Sequence, residues 1–342
     1  MFHPSTILPV RVVERLRSVA GAAELGRDLH PDQLAVIYEQ GWFRILLPEK
    51  PLSLPELVRL EESVAWADGS VGWVVTLCSG AGWFAGFFPA GVHSDIFTDM
   101  QVCIAGSGAH SGEAVTVPGG YRVRGRWDYA SGALHATAFT ANCVVDGGAV
   151  RPFLFRRPEV TIDRNWDTVG LIASGSHAFE VRDVVVPEDR CFVIDASHAK
   201  VSAPIYRYPF LQLAEATLAA NLSGMAVHFL DCCVSFFEER IQKRSFSEVV
   251  AVELRGVVEE AIKGLDEKRA GFYRVLDESW RDGSELAAVS KMARELAVTA
   301  REVVDQLYPY GGLGAARPQS EINRVWRDLH TASQHNLLVL GR

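Results

Sequence analysis

The sequence predicts an α+β protein in three successive parts: N-terminal helices over 1–99, a central β-barrel over 100–200 and a C-terminal antiparallel four-helix bundle over 201–342. Three observations predict it. Apolar residues recur at three- and four-residue spacing up to about position 92 and again after Pro204, which is helical periodicity. Between them lie short alternating or β-branched runs separated by Gly, Pro and Asp-Gly turns, which is the pattern of strands and hairpins. The long helical segments after Pro204 follow one another through short connections, which an antiparallel bundle satisfies best.

Taken in order, VVERLRSVAGAAEL, PDQLAVIYEQ and LPELVRLEESVAWA read as amphipathic helices, punctuated by Pro31, Pro55 and the turn Asp68-Gly69-Ser70. The next stretch, SVGWVVTLCSGAGWFAGFF, is apolar nearly all round, as a helix buried among others would be. Strands are expected in QVCIAGSG, AVTVPGGYRVRGRWDYASG, TAFTANCVVDGGAVRPFLFRR and HAFEVRDVVVP. Three long helices follow, beginning at AEATLAANLSGMAV, VELRGVVEEAIKG and SELAAVSKMAREL, and the last segment makes a fourth starting near Pro318.

Composition excludes several classes of protein. The chain has 342 residues, 48% hydrophobic and 22% charged, values ordinary for folded globular proteins. A net charge of −8 without a Lys/Arg run disfavours nucleic acid as a partner. The six cysteines lack CxxC spacing and are expected to be reduced thiols. No signal-peptide pattern and no unbroken apolar run of membrane-spanning length is seen, so the expected location is cytoplasmic.

The candidates for chemistry are few. AGSGAHSG is one residue too long for a dinucleotide fingerprint and lies among strands. GGLGAARP precedes a helix, so its backbone N–H groups either receive an anion or simply cap a connection. WDYASG could flank a flat ring or be a plain turn at a strand end. His330 and His335 are five apart, roughly 140° on a helix, which is unsuited to a metal pair. On the same continuing helix Asp328 and His335, seven apart, fall within ~20° of one face, with His335 at the border of the apolar stripe. Geometry alone assigns His335 no more than a structural place.

These elements and motifs, in this order, resemble the acyl-CoA dehydrogenase superfamily over nearly the whole chain. EQGWFRILLPE followed by the Asp-x-Ser-x-Gly-Trp turn is similar to that fold's N-terminal helices. GYRVRGRWDYASG and WDTVGLIASGSHAFEVRDVVVP resemble its central segments, and KRSF, YGGLGA and NRVWRDLHTASQH resemble its bundle. The resemblance implies a flavin lying against Tyr129, Ser131, Gly132 and Trp166, with the Ser131 hydroxyl near the flavin N5 and Ser174 close by. Trp166 reads equally as a barrel-core aromatic. It further implies that Arg244, Phe246, Gly311 and Gly312 serve the phosphate or adenine end across a subunit interface, in a homo-oligomer, dimer or tetramer.

Where acyl-CoA dehydrogenases commonly carry a catalytic glutamate, TASQHNLLVLGR has none. RDLHTASQH instead resembles the flavin-dependent monooxygenases of the same fold, such as the oxygenase of 4-hydroxyphenylacetate hydroxylase and dibenzothiophene monooxygenase. That resemblance makes His335 the catalytic histidine, with Asp328 orienting it. It also implies reduced flavin (FMN or FAD) from a separate flavin reductase, O2, and a small aromatic or apolar substrate near Trp73, Cys78 and Trp83. The alternatives are an acyl-CoA dehydrogenase with a displaced base, Glu215 or Glu238, and a redox-inactive binding subunit.

Overall fold

The computed structural model describes residues 1–243 and 247–339. Six helices open the chain: α1 (Val10–Ser18), α2 (Ala20–Gly26), α3 (Pro31–Gln40), α4 (Leu54–Ala67), α5 (Gly69–Gly82) and α6 (Ala90–Ile96). Their starts follow from local chemistry. Ser53 and Glu56 form a capping box at α4, with Pro55 in its first turn. The Asp68 carboxylate caps α5 by accepting from Val71 N at 2.9 Å.

Six strands follow: β1 (Ile104–Val117), β2 (Gly120–Ala130), β3 (Ala138–Val145), β4 (Val150–Arg156), β5 (Thr161–Asp163) and β6 (His177–Pro187). They form a mixed sheet in the order β4-β3-β1-β2-β6-β5, with β1 and β3 parallel. The sheet curls around its own aromatic core. Phe139 of β3 packs on Phe179 of β6 with centroids 4.9 Å apart, and Trp127 of β2 meets Phe155 of β4 at 5.9 Å, although neither pair is on neighbouring strands. Between Ser107 and Gly112 the β1/β3 register shifts, so β1 bulges away from regular pairing there.

The helical remainder is α7 (Phe210–Gln242), α8 (Glu248–Asp282), α9 (Leu286–Leu307), α10 (Gly312–Ala315), α11 (Glu321–Ala332) and α12 (Asn336–Val339). Helix α7 is the common support: α4, α5, α8, α9 and α11 all pack on it. One hydrophobic core therefore spans both helical regions, and a second fills the sheet. Two segments, Gly69–Phe87 and α7, are apolar and long enough by composition to cross a membrane, a length the sequence reading did not credit. Each is 83% buried in its apolar window, as helices at the centre of a protein core are.

A buried ion pair locks the two helical regions together. Arg269 of α8 holds Glu62 of α4 through Nε and Nη2 at 2.8 and 3.0 Å, and the Tyr273 hydroxyl donates to the same carboxylate at 2.7 Å. All six cysteines are free thiols.

Candidate active site

A cavity of about 220 Å³ lies where the three regions meet. Its walls come from Thr76, Leu77 and Phe84 of α5 and the turn after it, the Gly106–Gly108 stretch at the β1 register shift, and Thr140 and Asn142 of β3. Phe210, Leu213 and Thr217 of α7, with His335 and Leu337, complete it. Among the described lining residues there is no Asp, Glu, Lys or Arg. The cavity is apolar and aromatic with a few neutral hydrogen-bonding groups, as small-molecule sites usually are.

His335 is placed on this wall by the end of α11. The helix stops at Ala332, where the Ser333 hydroxyl donates back to His330 O at 3.0 Å and the Gln334 amide to the same oxygen at 3.3 Å. The expected continuous helix through His335 is therefore broken, and a seven-residue helical repeat does not apply across the break. His335 Nδ1 accepts from Leu337 N at 3.4 Å, which leaves the proton of the neutral ring on Nε2. Burial lowers its pKa below the ordinary histidine value, because the imidazolium loses solvation.

Asp328 turns away from that task. Its carboxylate accepts from Leu171 N at 2.5 Å, and among the described residues no hydrogen bond joins it to His335. Leu171 has a left-handed backbone, φ 50°, which a leucine adopts only when held there. At Gly170 a Cβ would stand 2.0 Å from Arg327 O, so only glycine lets the loop press against α11. Leu171 O in turn accepts from the Trp166 indole N–H at 2.9 Å. Asp328 thus fixes Trp166 through Leu171. Burial, with Asp68 nearby, pushes its carboxyl up to about 7.

The other expected flavin residues divide. Tyr129, φ 67° and 73% exposed, stands edge-on to half-buried Trp166 with centroids 6.3 Å apart. Ser131 is buried: its hydroxyl accepts from the Trp73 indole N–H at 3.0 Å and shares a hydrogen bond with Ser176 at 2.8 Å. Ser174 continues the chain, 2.8 Å from Ser176, and its carbonyl accepts from Gly132 N at 2.9 Å. Gly132 has φ 70°, and a Cβ there would meet Cys78 Sγ at 2.9 Å. The Ser131 hydroxyl is therefore directed into the protein, where it holds Trp73. Trp73 is the partition: its ring meets His335 edge-on at 6.0 Å on one side, and its N–H reaches the Tyr129–Gly132 turn on the other.

A flat ring fits the Tyr129 side. An aromatic surface stands uncovered there at the end of β2, beside a tryptophan whose position the backbone over-determines.

Gly311 and Gly312 lie at the end of α9, apart from the cavity lining. Gly312, at φ 57° and ψ −158°, occupies a conformation reserved to glycine, and its neighbour Tyr310 O accepts from Arg240 at 3.3 Å. Arg244 and Phe246 lie outside the described residues. Glu215 and Glu238 do not line the cavity. Glu215 is bound by Arg294 at 2.7 Å, and Glu238 by Arg255 at 2.7 Å on the surface.

His330 bridges α11 to α9 through Asp305 at 2.8 Å. The metal-ligand spacing found among the described residues is elsewhere, at His228, Cys232 and Glu321, where His228 Nε2 and Glu321 are already hydrogen-bonded at 3.0 Å.

Of the three residues expected near substrate, Trp73 touches His335 while Cys78 and Trp83 face away, bound to Ser131 O and Ile205 O. Sequence reasoning found helix α5 but missed Thr76, Leu77 and Phe84, together with Thr140, Asn142 and Thr217. A helix apolar all round carries no periodic signal to mark which stripe borders a cavity.

Comparison with known proteins agrees with this architecture. The family model described as acyl-CoA dehydrogenase, C-terminal domain, matches residues 216–339. The flavin-dependent monooxygenase oxygenase subunit HsaA of Rhodococcus jostii (strain RHA1) is 29% identical, over 94% of this chain and 91% of that protein. The crystal structure of 3-HSA hydroxylase from Rhodococcus sp. RHA1 superposes with a TM-score of 0.86 at 26% identity, covering 97% of this chain and 92% of the other. The chain is a flavin-dependent monooxygenase with the acyl-CoA dehydrogenase fold. The indole-3-acetate monooxygenase of Pseudomonas putida is also similar to this monooxygenase, 26% identical over 94% of this chain and 87% of that one.

Proposed function

We propose that the chain is the oxygenase component of a two-component system that hydroxylates a small, neutral aromatic compound, taking reduced FMN or FAD from a separate reductase. The observation that carries this reading is His335: a neutral imidazole on the wall of an uncharged aromatic cavity, separated by one tryptophan from the exposed Tyr129 surface.

Bound reduced flavin supplies two electrons to O2, so that one oxygen atom enters the substrate and the other leaves as water. The chain's residues supply the rest. Tyr129 and Trp166 hold the ring, with Trp166 kept in place by Leu171 and Asp328. Phe84, Phe210, Leu213 and Leu337 exclude water and pack the substrate. His335 Nε2–H donates a hydrogen bond to an oxygen in the cavity, a role open to a neutral imidazole. Ser131 acts through Trp73, keeping its ring between His335 and the flavin side.

A neutral substrate follows from the lining. A carboxylate enclosed there would lack a cationic partner among the described residues, and an unpaired buried charge is costly. The same reading takes Gly311 and Gly312 as contacts to the far end of the flavin in a dimer or tetramer, and places the enzyme in the cytoplasm.

The test is to mix the protein with O2, NADH, a flavin reductase and FMN or FAD, and to offer neutral phenols of one and two rings. A product heavier by one oxygen atom, derived from O2, supports the proposal. Failure to bind either reduced flavin at micromolar concentration, or hydrogen peroxide as the sole product with every phenol, sinks it.

A further inference from the structure

Behind the cavity wall lies a cluster of buried polar side chains. Glu61 of α4, Ser79 and Thr76 of α5 and Asn221 of α7 are buried, with Glu61, Ser79 and Asn221 at 0% exposure. Thr76 alone of the four lines the cavity. The Ser79 hydroxyl donates to Glu61 Oε1 at 2.9 Å, and the Asn221 amide donates to Thr76 Oγ1 at 3.1 Å. Two buried atoms of the cluster, Glu61 Oε2 and Asn221 Oδ1, have no hydrogen-bond partner among the described residues.

We propose that Thr76 is a specificity-determining residue, whose hydroxyl donates to an oxygen of the substrate, and that Glu61 in its acid form and Asn221 are the positioning residues that aim it. This rests on the reading of the cavity as the substrate site.

A threonine hydroxyl has one proton and two acceptor lone pairs. Asn221 occupies one lone pair. If Glu61 were ionised, its carboxylate would draw the Thr76 proton to itself and away from the cavity. The Ser79 proton goes to Oε1, the nearer of its two acceptors at 2.9 Å against 3.2 Å for Thr76 O, so an acid proton on Glu61 belongs on Oε2, the oxygen lacking a partner. That proton and the Asn221 carbonyl are the polar groups of the cluster left without a partner, one a donor and the other an acceptor.

The surroundings keep the proton on Glu61. Burial raises its carboxyl to about 8, and the Ser79 and Thr76 hydroxyls pull it back only in part. From α5 it faces those two hydroxyls, and among the described residues no cation on a packed element stabilises its charge. The adjacent Glu62 points to α8 and takes Arg269 and Tyr273. Glu61 therefore stays neutral at pH 7, where its uncharged oxygen competes only weakly for the Thr76 proton and the hydroxyl can turn to the substrate.

The experiment is a fluorescence titration of the purified protein, without flavin, by 2-naphthol and by 2-methylnaphthalene, which differ in the hydroxyl alone. Wild type is expected to prefer 2-naphthol by about tenfold at pH 7, the worth of one buried hydrogen bond. Thr76→Val, of the same shape, abolishes the preference, and Thr76→Ser retains it. Glu61→Gln, whose amide N–H replaces the acid proton, keeps the preference and holds it from pH 7 to 8.5, whereas wild type loses part of it over that range. A preference that survives Thr76→Val overturns the role of Thr76 and leaves the cavity assignment standing. Wild type that binds neither compound overturns both. Equal pH dependence in wild type and Glu61→Gln overturns the role of Glu61.

Discussion

Trp73 joins His335 to Ser131: its ring lies edge-on to the imidazole at 6.0 Å, and its indole N–H donates to the serine hydroxyl at 3.0 Å. Two residues 204 positions apart in the sequence, one at a strand end and one after the last long helix, are set relative to each other by a single side chain.

Removing that hydrogen bond from either side should have the same consequence. Trp73→Phe and Ser131→Ala are each expected to lower the hydroxylated product formed per O2 consumed by severalfold. The double variant should be no worse than the more severe single one, a coupling on the order of 1 kcal/mol. Additive losses would show that the two residues act separately.

His335 sets the acid limb of activity. Its pKa is lowered by burial, so the neutral ring persists below the usual histidine midpoint and is lost only at lower pH. The kcat/KM profile should therefore stay level through pH 6.5 and fall beneath it. His335→Ala should reduce product formation at least about tenfold, a typical scale for a lost proton-transfer or hydrogen-bonding group. A His335→Ala enzyme that is fully coupled would refute the assignment.

Asp328 couples stability to pH. Its folded-state carboxyl titrates at about 7 against an ordinary 3.8, so the folded state holds the proton more tightly than the unfolded one. The stabilisation is complete below 3.8 and is lost as pH rises through 7. The wild-type Tm should fall between pH 4.5 and 8, and Asp328→Asn, which keeps an acceptor for Leu171 N, should flatten that slope. Glu61 acts in the same direction, up to about 8, so the slope should shrink without vanishing.

The Glu62–Arg269 pair should dominate stability among the ion pairs. Each partner is almost fully buried, so Glu62→Ala leaves a guanidinium without its counter-charge. A loss of about 3–5 kcal/mol in urea unfolding is expected. Breaking a solvent-exposed pair such as Arg255–Glu238 should leave the urea midpoint almost unchanged.

Much of the fold was legible in local chemistry. The Ser53/Glu56 capping box, the Asp68 cap and the apolar stripes of α4 and α7 act over a few residues, and each element formed where they indicate. The break after Ala332 was not legible, because the apolar periodicity runs on where the backbone passes to tighter bonds, Gln334 N to Thr331 O and His335 N to Ala332 O. Nor was the inward turn of Ser131, which depends on an indole from α5, 58 positions away.

The sequence by itself determined the order of helices and strands and the acidic character of the chain, and it carries the motifs whose family resemblance points to His335. These are properties of residue type and near neighbours. Tertiary structure alone decided that Asp328 serves Leu171 and Trp166 in place of His335, that Thr76 and not Cys78 meets the cavity, and that Glu61 is enclosed without a cation among the described residues. Each of those outcomes depends on which distant backbone or side chain arrives opposite a polar group, and burial then fixes the partner by making an unpaired group costly.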